Sequence, residues 1–138
     1  MKIIVTGCKG QLGTEIIKQL REGRSEIGPI PEKLLNATVI AVDLPDLDIS
    51  NYNMVDEFIR RNRPDVIINC TGITDTDECE ANPEHAYRVN ALGARNLSIV
   101  ARKCGSKIVQ ISTDDVFDGQ SKKPYTEFDD TNPLTVYG

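Results

Sequence analysis

A glycine-rich loop that directly follows an apolar run constrains the fold of this chain more than any other feature. Residues 2–6 (KIIVT) have the β-branched composition of a strand buried on both faces. Gly7, Gly10 and Gly13 follow at GxxGxxG spacing, and apolar residues of 12–20 then recur at helical intervals. Glycine lets the backbone approach a pyrophosphate, and the start of a helix offers it unpaired N–H groups. A strand, this loop and a helix in succession therefore predict dinucleotide binding.

Short apolar runs alternate with helical patterns along the rest of the chain, which predicts βαβ units and a parallel sheet. Three further strands are predicted at 38–43, 65–69 and 107–112. An exposed insertion, 21–36, interrupts the first unit and contains a predicted helical turn at Glu32–Leu35. The pattern indicates an α/β, doubly wound sheet of order 3-2-1-4, with a ligand crevice between the first and fourth strands at their carboxyl ends.

Capping residues predict where two of the helices begin. Ser50 is the predicted cap of a helix that stops at Pro64. Asn82 and Pro83 are the predicted start of a long helix that ends at Gly105. The predicted inward faces are Leu12, Ile16, Ile17 and Leu20 on the first helix, and Ala86, Asn90, Gly93, Leu97, Val100, Ala101 and Cys104 on the long one.

Composition excludes several classes of function. A chain of 138 residues can build one domain with a real core, and 39% hydrophobic residues are ordinary for a soluble protein. The net charge of −5 gives no basic footprint, so no nucleic-acid partner is expected. No apolar run approaches the roughly 20 residues of a membrane span. The N-terminus lacks the regions of a signal peptide, so a cytoplasmic location without a membrane partner is expected.

The cysteines do not have the spacing of a metal site. None of the four forms a CxxC pair, and His85 is the single histidine. We therefore expect reduced thiols and no bound metal.

Polar residues at the ends of the second and third strands are candidate cofactor contacts. Asp43 occupies the place from which an acidic side chain bonds the adenosine ribose. Its charge repels a 2′-phosphate and so favours NAD over NADP, although an ordinary turn aspartate is the alternative. Asp48 and Ile49 lie where a loop can flank the adenine, and small or hydroxylated residues of 70–74 suit close passage of a cofactor.

Candidate catalytic residues follow the fourth strand. A hydroxyl of Ser112 or Thr113 can hold a substrate oxygen, and Tyr137 can donate a proton if a cation lies near it. Without further context, the alternative is that these are strand-end polar residues and a surface aromatic.

The chain resembles the extended short-chain dehydrogenase/reductase family and, within it, the dTDP-4-dehydrorhamnose reductases. The matching segments, in chain order, are MKIIVTGCKGQLG, LDIS, RPDVIINCTGIT, VNALGARNL, ISTDDVFDG and NPLTVYG. The resemblance implies a Rossmann-type fold and an enzyme that reduces dTDP-4-keto-6-deoxymannose with NADH or NADPH.

The resemblance also implies roles for individual residues. The implied cofactor contacts are Gly7, Gly10, Gln11, Leu12 and Gly13 at the pyrophosphate, Asp43 at the ribose, Asp48 and Ile49 at the adenine, and Gly72, Ile73 and Thr74 at the nicotinamide. The implied substrate contacts are Thr113 and Asp114, with Thr113 as the catalytic hydroxyl and Tyr137 as the proton donor to the C4 oxygen.

Two departures from the family pattern qualify this picture. Asp115 replaces a family tyrosine, and the family lysine four residues after Tyr137 would lie beyond Gly138. We therefore expect residues 1–138 to be the N-terminal part of an NAD(P)-binding domain, cut short and without the C-terminal substrate domain. Such a piece is expected to be inactive alone, and the unpaired edge of its fourth strand favours a homodimer.

Three alternatives remain open. A related nucleotide-sugar epimerase or dehydratase shares the glycine loop and the tyrosine. A non-catalytic NAD(P)-binding regulatory subunit, like the beta subunit of methionine adenosyltransferase, keeps the fold without the chemistry, and the Asp115 substitution favours it. A stand-alone NAD-binding module is the third.

Overall fold

A computed structural model describes the whole chain, Met1–Gly138. The strands are β1 (Lys2–Thr6), β2 (Arg24–Ser25), β3 (Gly28–Pro29), β4 (Thr38–Val42), β5 (Val66–Asn69) and β6 (Lys107–Gln110). The helices are α1 (Gln11–Glu22), α2 (Glu32–Leu35), α3 (Tyr52–Asn62), α4 (Thr76–Ala81), α5 (Pro83–Ala86) and α6 (Ala94–Cys104). A π-helical segment, Tyr87–Gly93, joins α5 to α6, and a 3-10 turn covers Asp114–Val116. None of the helices combines the length and apolar character needed to span a bilayer.

The predicted α/β architecture with a parallel sheet is confirmed, but the predicted strand order is wrong. Four parallel strands form the sheet in the order β4-β1-β5-β6. In terms of the predicted strands this is 2-1-3-4 and not 3-2-1-4, and the order reverses between β1 and β5. The crevice therefore opens at the carboxyl ends of β1 and β5.

The reversal follows from the face on which each helix packs. The α1 residue Ile17 packs with Ile3 and Val5 of β1, whereas α3 and α6 pack on the opposite face around Ile4. A right-handed crossover through a helix on the opposite face must move along the sheet in the opposite direction. The chain therefore passes from β4 over β1 and adds β5 on its far side. Strand β1 is buried on both faces, as predicted.

Helix starts differ from the predictions in three places. The cap of α3 is Asn51 and not Ser50: its Oδ1 accepts the amides of Asn53 and Met54 at 3.1 and 3.2 Å. Pro83 does begin the long helix, but the Asn82 side chain makes no capping bond. Helix α4, just before it, was not predicted.

The insertion follows its prediction and adds one feature. The helical turn Glu32–Leu35 is present as α2, and β2 pairs with β3 as a short antiparallel hairpin that the sequence pattern did not indicate.

Candidate cofactor and substrate site

The glycine loop lies directly against the end of β5. Gly7 has φ +64°, and a Cβ atom there would lie 2.7 Å from the carbonyl carbon and oxygen of Cys70. A Cβ at Gly13 would overlap the carbonyl oxygen of Gly7. Both positions therefore require glycine, the first for its conformation and its packing, the second for the approach of α1 to the loop.

The N-terminus of α1 has no side-chain cap. Its cap is Gly10, which supplies no side-chain acceptor, and the first turn has no acidic residue. Gln11 is exposed, and Leu12 is 44% exposed, so the prediction that Leu12 belongs to the buried face is wrong. Ile17 is buried, as predicted, and Ile16 is half-buried. Free amides and the positive end of the helix dipole suit a phosphate at this end.

Asp43 connects the end of β4 to the glycine loop. Its Oδ2 accepts the Lys9 amide at 3.0 Å and its Oδ1 accepts the Leu44 amide at 2.9 Å. The Lys9 ammonium donates to the Leu44 carbonyl at 2.8 Å. The sequence analysis assigned Asp43 to the ribose but missed its contact with the backbone amide of Lys9.

The Asp48–Ile49 loop has a packing role. Ile49 is 3% exposed, and a Cβ at Gly93 would lie 2.7 Å from its Cδ1 and Cγ1 atoms. The Ile49 carbonyl accepts the side-chain amide of Asn96 at 3.0 Å, and Asp48 Oδ1 accepts the Ser50 amide at 2.8 Å. Any contact of Ile49 with adenine would therefore involve its backbone, and this role stays a prediction.

Asn90 in the π-helical segment fixes the loop after β5. Its Oδ1 accepts the Ile73 amide at 2.8 Å and its Nδ2 donates to the Ile73 carbonyl at 2.9 Å. Gly72 lies beside this pair, because a Cβ atom added at Gly72 would lie 3.4 Å from Asn90 Oδ1. The sequence treated Asn90 as part of a packing face and missed its amide–backbone contact.

A buried polar row joins the carboxyl ends of three strands. The Thr6 hydroxyl donates to Asn69 Oδ1, which also accepts the Thr71 amide at 3.2 Å. Asn69 Nδ2 donates to Gln110 Oε1 at 2.8 Å. Thr6 and Asn69 are each 1% exposed. These bonds set the spacing of β1, β5 and β6 at the edge where the site lies.

A cavity of about 690 Å³ opens at this edge, within the size range of small-molecule sites. Five predicted site residues line it together: Gly72, Thr74, Ser112, Thr113 and Tyr137. Much of the remaining lining is small or apolar, including Ala86, Ala91, Ala94, Ile111 and Val136. Asp114 is exposed and lines a smaller cavity together with Asp115.

The segment between Thr113 and Tyr137 is ordered by Asp118. Thr113 Oγ1 accepts the Asp115 amide at 3.2 Å and so caps the 3-10 turn. Asp118 accepts the side chain of Asn132 at 2.9 Å, the Gln120 amide at 2.9 Å and the Tyr125 hydroxyl at 2.8 Å. These bonds, with Asn132 first, lower the pKa of the Asp118 carboxyl.

The parallel sheet, the glycine loop at an open helix end and the crevice beyond the strand ends define a nucleotide-binding domain of the Rossmann type. The chain belongs to the RmlD substrate binding domain family, whose model matches residues 1–138. A dTDP-4-dehydrorhamnose reductase of Aggregatibacter actinomycetemcomitans is 38% identical over 138 residues, which cover 99% of this chain and 43% of that protein.

Two solved structures extend the likeness. The dTDP-4-dehydrorhamnose reductase of Clostridium acetobutylicum has 46% identity and a TM-score of 0.88, with 100% of this chain and 45% of that chain covered. The Bacillus anthracis reductase in complex with NADP has 35% identity and a TM-score of 0.82, with 99% and 44% covered. The chain thus spans less than half the length of these relatives.

Proposed function

We propose that the whole protein reduces the C4 keto group of dTDP-4-dehydro-6-deoxy-L-mannose, giving dTDP-L-rhamnose, with NADH or NADPH as the reductant. The observation that supports this most is the shared cavity of Thr113 and Tyr137 with the 71–74 loop, at the carboxyl ends of β5 and β6. The names of the relatives supply the substrate, and the NADP in the Bacillus anthracis structure supports the cofactor.

The residues of the glycine loop fit a dinucleotide. A Cβ at either Gly7 or Gly13 would fill space that the loop needs, and α1 begins without a side-chain cap. Gly10, Gln11 and Leu12 would hold the pyrophosphate with backbone amides. Asp43 would bond the ribose, and Gly72 and Thr74 would border the nicotinamide. When bound, the reduced nicotinamide supplies the hydride.

The protein residues would orient and protonate the substrate. The Thr113 hydroxyl would hydrogen-bond the C4 carbonyl oxygen and fix its orientation. Tyr137 would donate its hydroxyl proton to that oxygen while hydride adds to C4, so that the C=O bond becomes a CH–OH group. The small and apolar lining would exclude water from the reacting atoms.

The position of Asp115 argues against a regulatory subunit without chemistry. Asp115 lines the smaller cavity and not that of Tyr137. Thr113 and Tyr137 therefore share the larger cavity without a contribution from Asp115.

Product analysis tests the proposal. The whole protein, with dTDP-4-keto-6-deoxymannose and NADPH, should oxidise one equivalent of NADPH per equivalent of dTDP-rhamnose formed. An epimerase or dehydratase would change the sugar without net oxidation of NADPH. Binding of NADPH without any change in the sugar would support the regulatory alternative and contradict the proposal.

A further inference from the structure

The segment that carries Tyr137 contacts both the 3-10 turn and α4. Residues 133–138 belong to no helix or strand. The amide of Gly138 is satisfied locally by Thr135 Oγ1 at 3.1 Å. One hydrogen bond joins this segment to another part of the chain: the Val136 amide donates to Glu80 Oε1 at 2.8 Å. Glu80 therefore holds the residue that precedes Tyr137, and Gly138, the residue that follows it, lies against the Asp115 carbonyl.

Helix α4, which carries Glu80, is also attached to the opposite wall of the cavity. Asp75 caps α4 by accepting the Glu78 amide at 2.9 Å. The buried Cys79 thiol donates to the carbonyl of Ile73, in the 71–74 loop, at 3.6 Å. Two successive residues of α4, Cys79 and Glu80, thus contact the two segments that border the cavity.

We propose that Glu80 is a positioning residue, whose carboxylate holds the Val136 amide and thereby fixes Tyr137 at a set distance from the 71–74 loop. A backbone amide bonds an ionised acceptor more strongly than a neutral one. The inference rests on the proposed function, because that function gives Tyr137 the proton transfer. If Tyr137 were displaced from the cavity, the protein would bind the cofactor equally well, but proton transfer to the substrate would be slower.

Three variants of the whole protein test the inference. Glu80→Ala removes the acceptor, and Glu80→Gln retains a carbonyl oxygen in its place. Glu78→Gln is the matched control, because Glu78 lies exposed on the same helix and its carboxylate has no hydrogen-bond partner. We expect Glu80→Ala to lower kcat about 10-fold while Kd for NADPH changes less than about twofold. Glu80→Gln should recover most of kcat, and Glu78→Gln should match the wild type.

Nuclear magnetic resonance on the same proteins reads the contact directly. Glu80→Ala should shift the Val136 amide proton upfield and move the ring resonances of Tyr137, whereas Glu78→Gln should change neither. An unchanged Val136 resonance or a wild-type kcat in Glu80→Ala would overturn the inference, as would an equal loss of NADPH affinity and turnover. A wild-type protein that never oxidises NADPH with the keto sugar would refute the proposed function instead. The Val136 and Tyr137 resonances would still decide the role of Glu80.

Discussion

Replacement of Gly7 by alanine should destabilise the fold through two separate effects. The φ of +64° places Gly7 in the left-handed region, where a Cβ costs about 1–2 kcal/mol. The same Cβ would lie 2.7 Å from backbone atoms of Cys70, which no side-chain rotation relieves. Overpacking of this kind adds about 1–3 kcal/mol. The free energy of unfolding should therefore fall by about 2–5 kcal/mol.

Gly105 offers a matched control for the conformational part. Its φ is +72°, but nothing lies within 4 Å of the Cβ that alanine would add. Gly105→Ala should therefore lower the free energy of unfolding by only about 1–2 kcal/mol. Urea denaturation followed by circular dichroism measures both variants, and titration with NADPH should show weaker binding in Gly7→Ala alone. Equal destabilisation by the two substitutions would refute the claim that the loop is packed tightly against β5.

Three further predictions concern cofactor choice, acid stability and association. Asp43→Asn removes the negative charge near the ribose and should raise the affinity for NADPH relative to NADH; an unchanged ratio by calorimetry would contradict this role. The folded pKa of Asp118 is lowered, so its stabilisation is present above its unfolded pKa and is lost as pH falls through the folded value. In Asp118→Asn, the urea concentration at the unfolding midpoint should therefore fall less steeply as the pH is lowered. Asp130 is exposed and makes no side-chain hydrogen bond, so Asp130→Asn should leave this pH dependence unchanged. Val109 is 46% exposed on the edge strand β6, and Val109→Lys should shift light-scattering masses towards the monomer.

The local pattern of the sequence was sufficient to place the four strands of the parallel sheet and the glycine loop. A β-branched run and GxxGxxG spacing are properties of a few neighbouring residues, and β1, α1 and the loop lie where they indicate. The strand order could not be predicted from such local patterns, because it depends on which face of the sheet α3 packs against. Helix α4 was missed because its sequence, TDECEA, is acidic and has no apolar stripe.

The same distinction applies to the site. Gly72, Thr74, Thr113 and Tyr137 share one cavity, as expected of residues that follow parallel strands. The contacts of Lys9, Asn90 and Glu80 were missed. Each of these joins a side chain to a backbone group that is 34, 17 or 56 residues away, and such a pair leaves no periodic mark in the sequence. Ile49, the apolar residue of the LDIS segment, packs in the core because burial of its side chain is favourable, as it is for most isoleucines.

The most direct test of the central claim compares Tyr137→Phe with Tyr52→Phe in the whole protein. Tyr52 lies on α3, where its hydroxyl accepts a bond from Lys103 at 2.7 Å, away from the cavity. The proposed chemistry predicts that Tyr137→Phe lowers kcat for reduction of the 4-keto sugar by about 10²–10⁴-fold. It also predicts an unchanged Kd for NADPH and wild-type kinetics for Tyr52→Phe. A Tyr137→Phe protein that reduces the keto sugar at the wild-type rate would contradict the account.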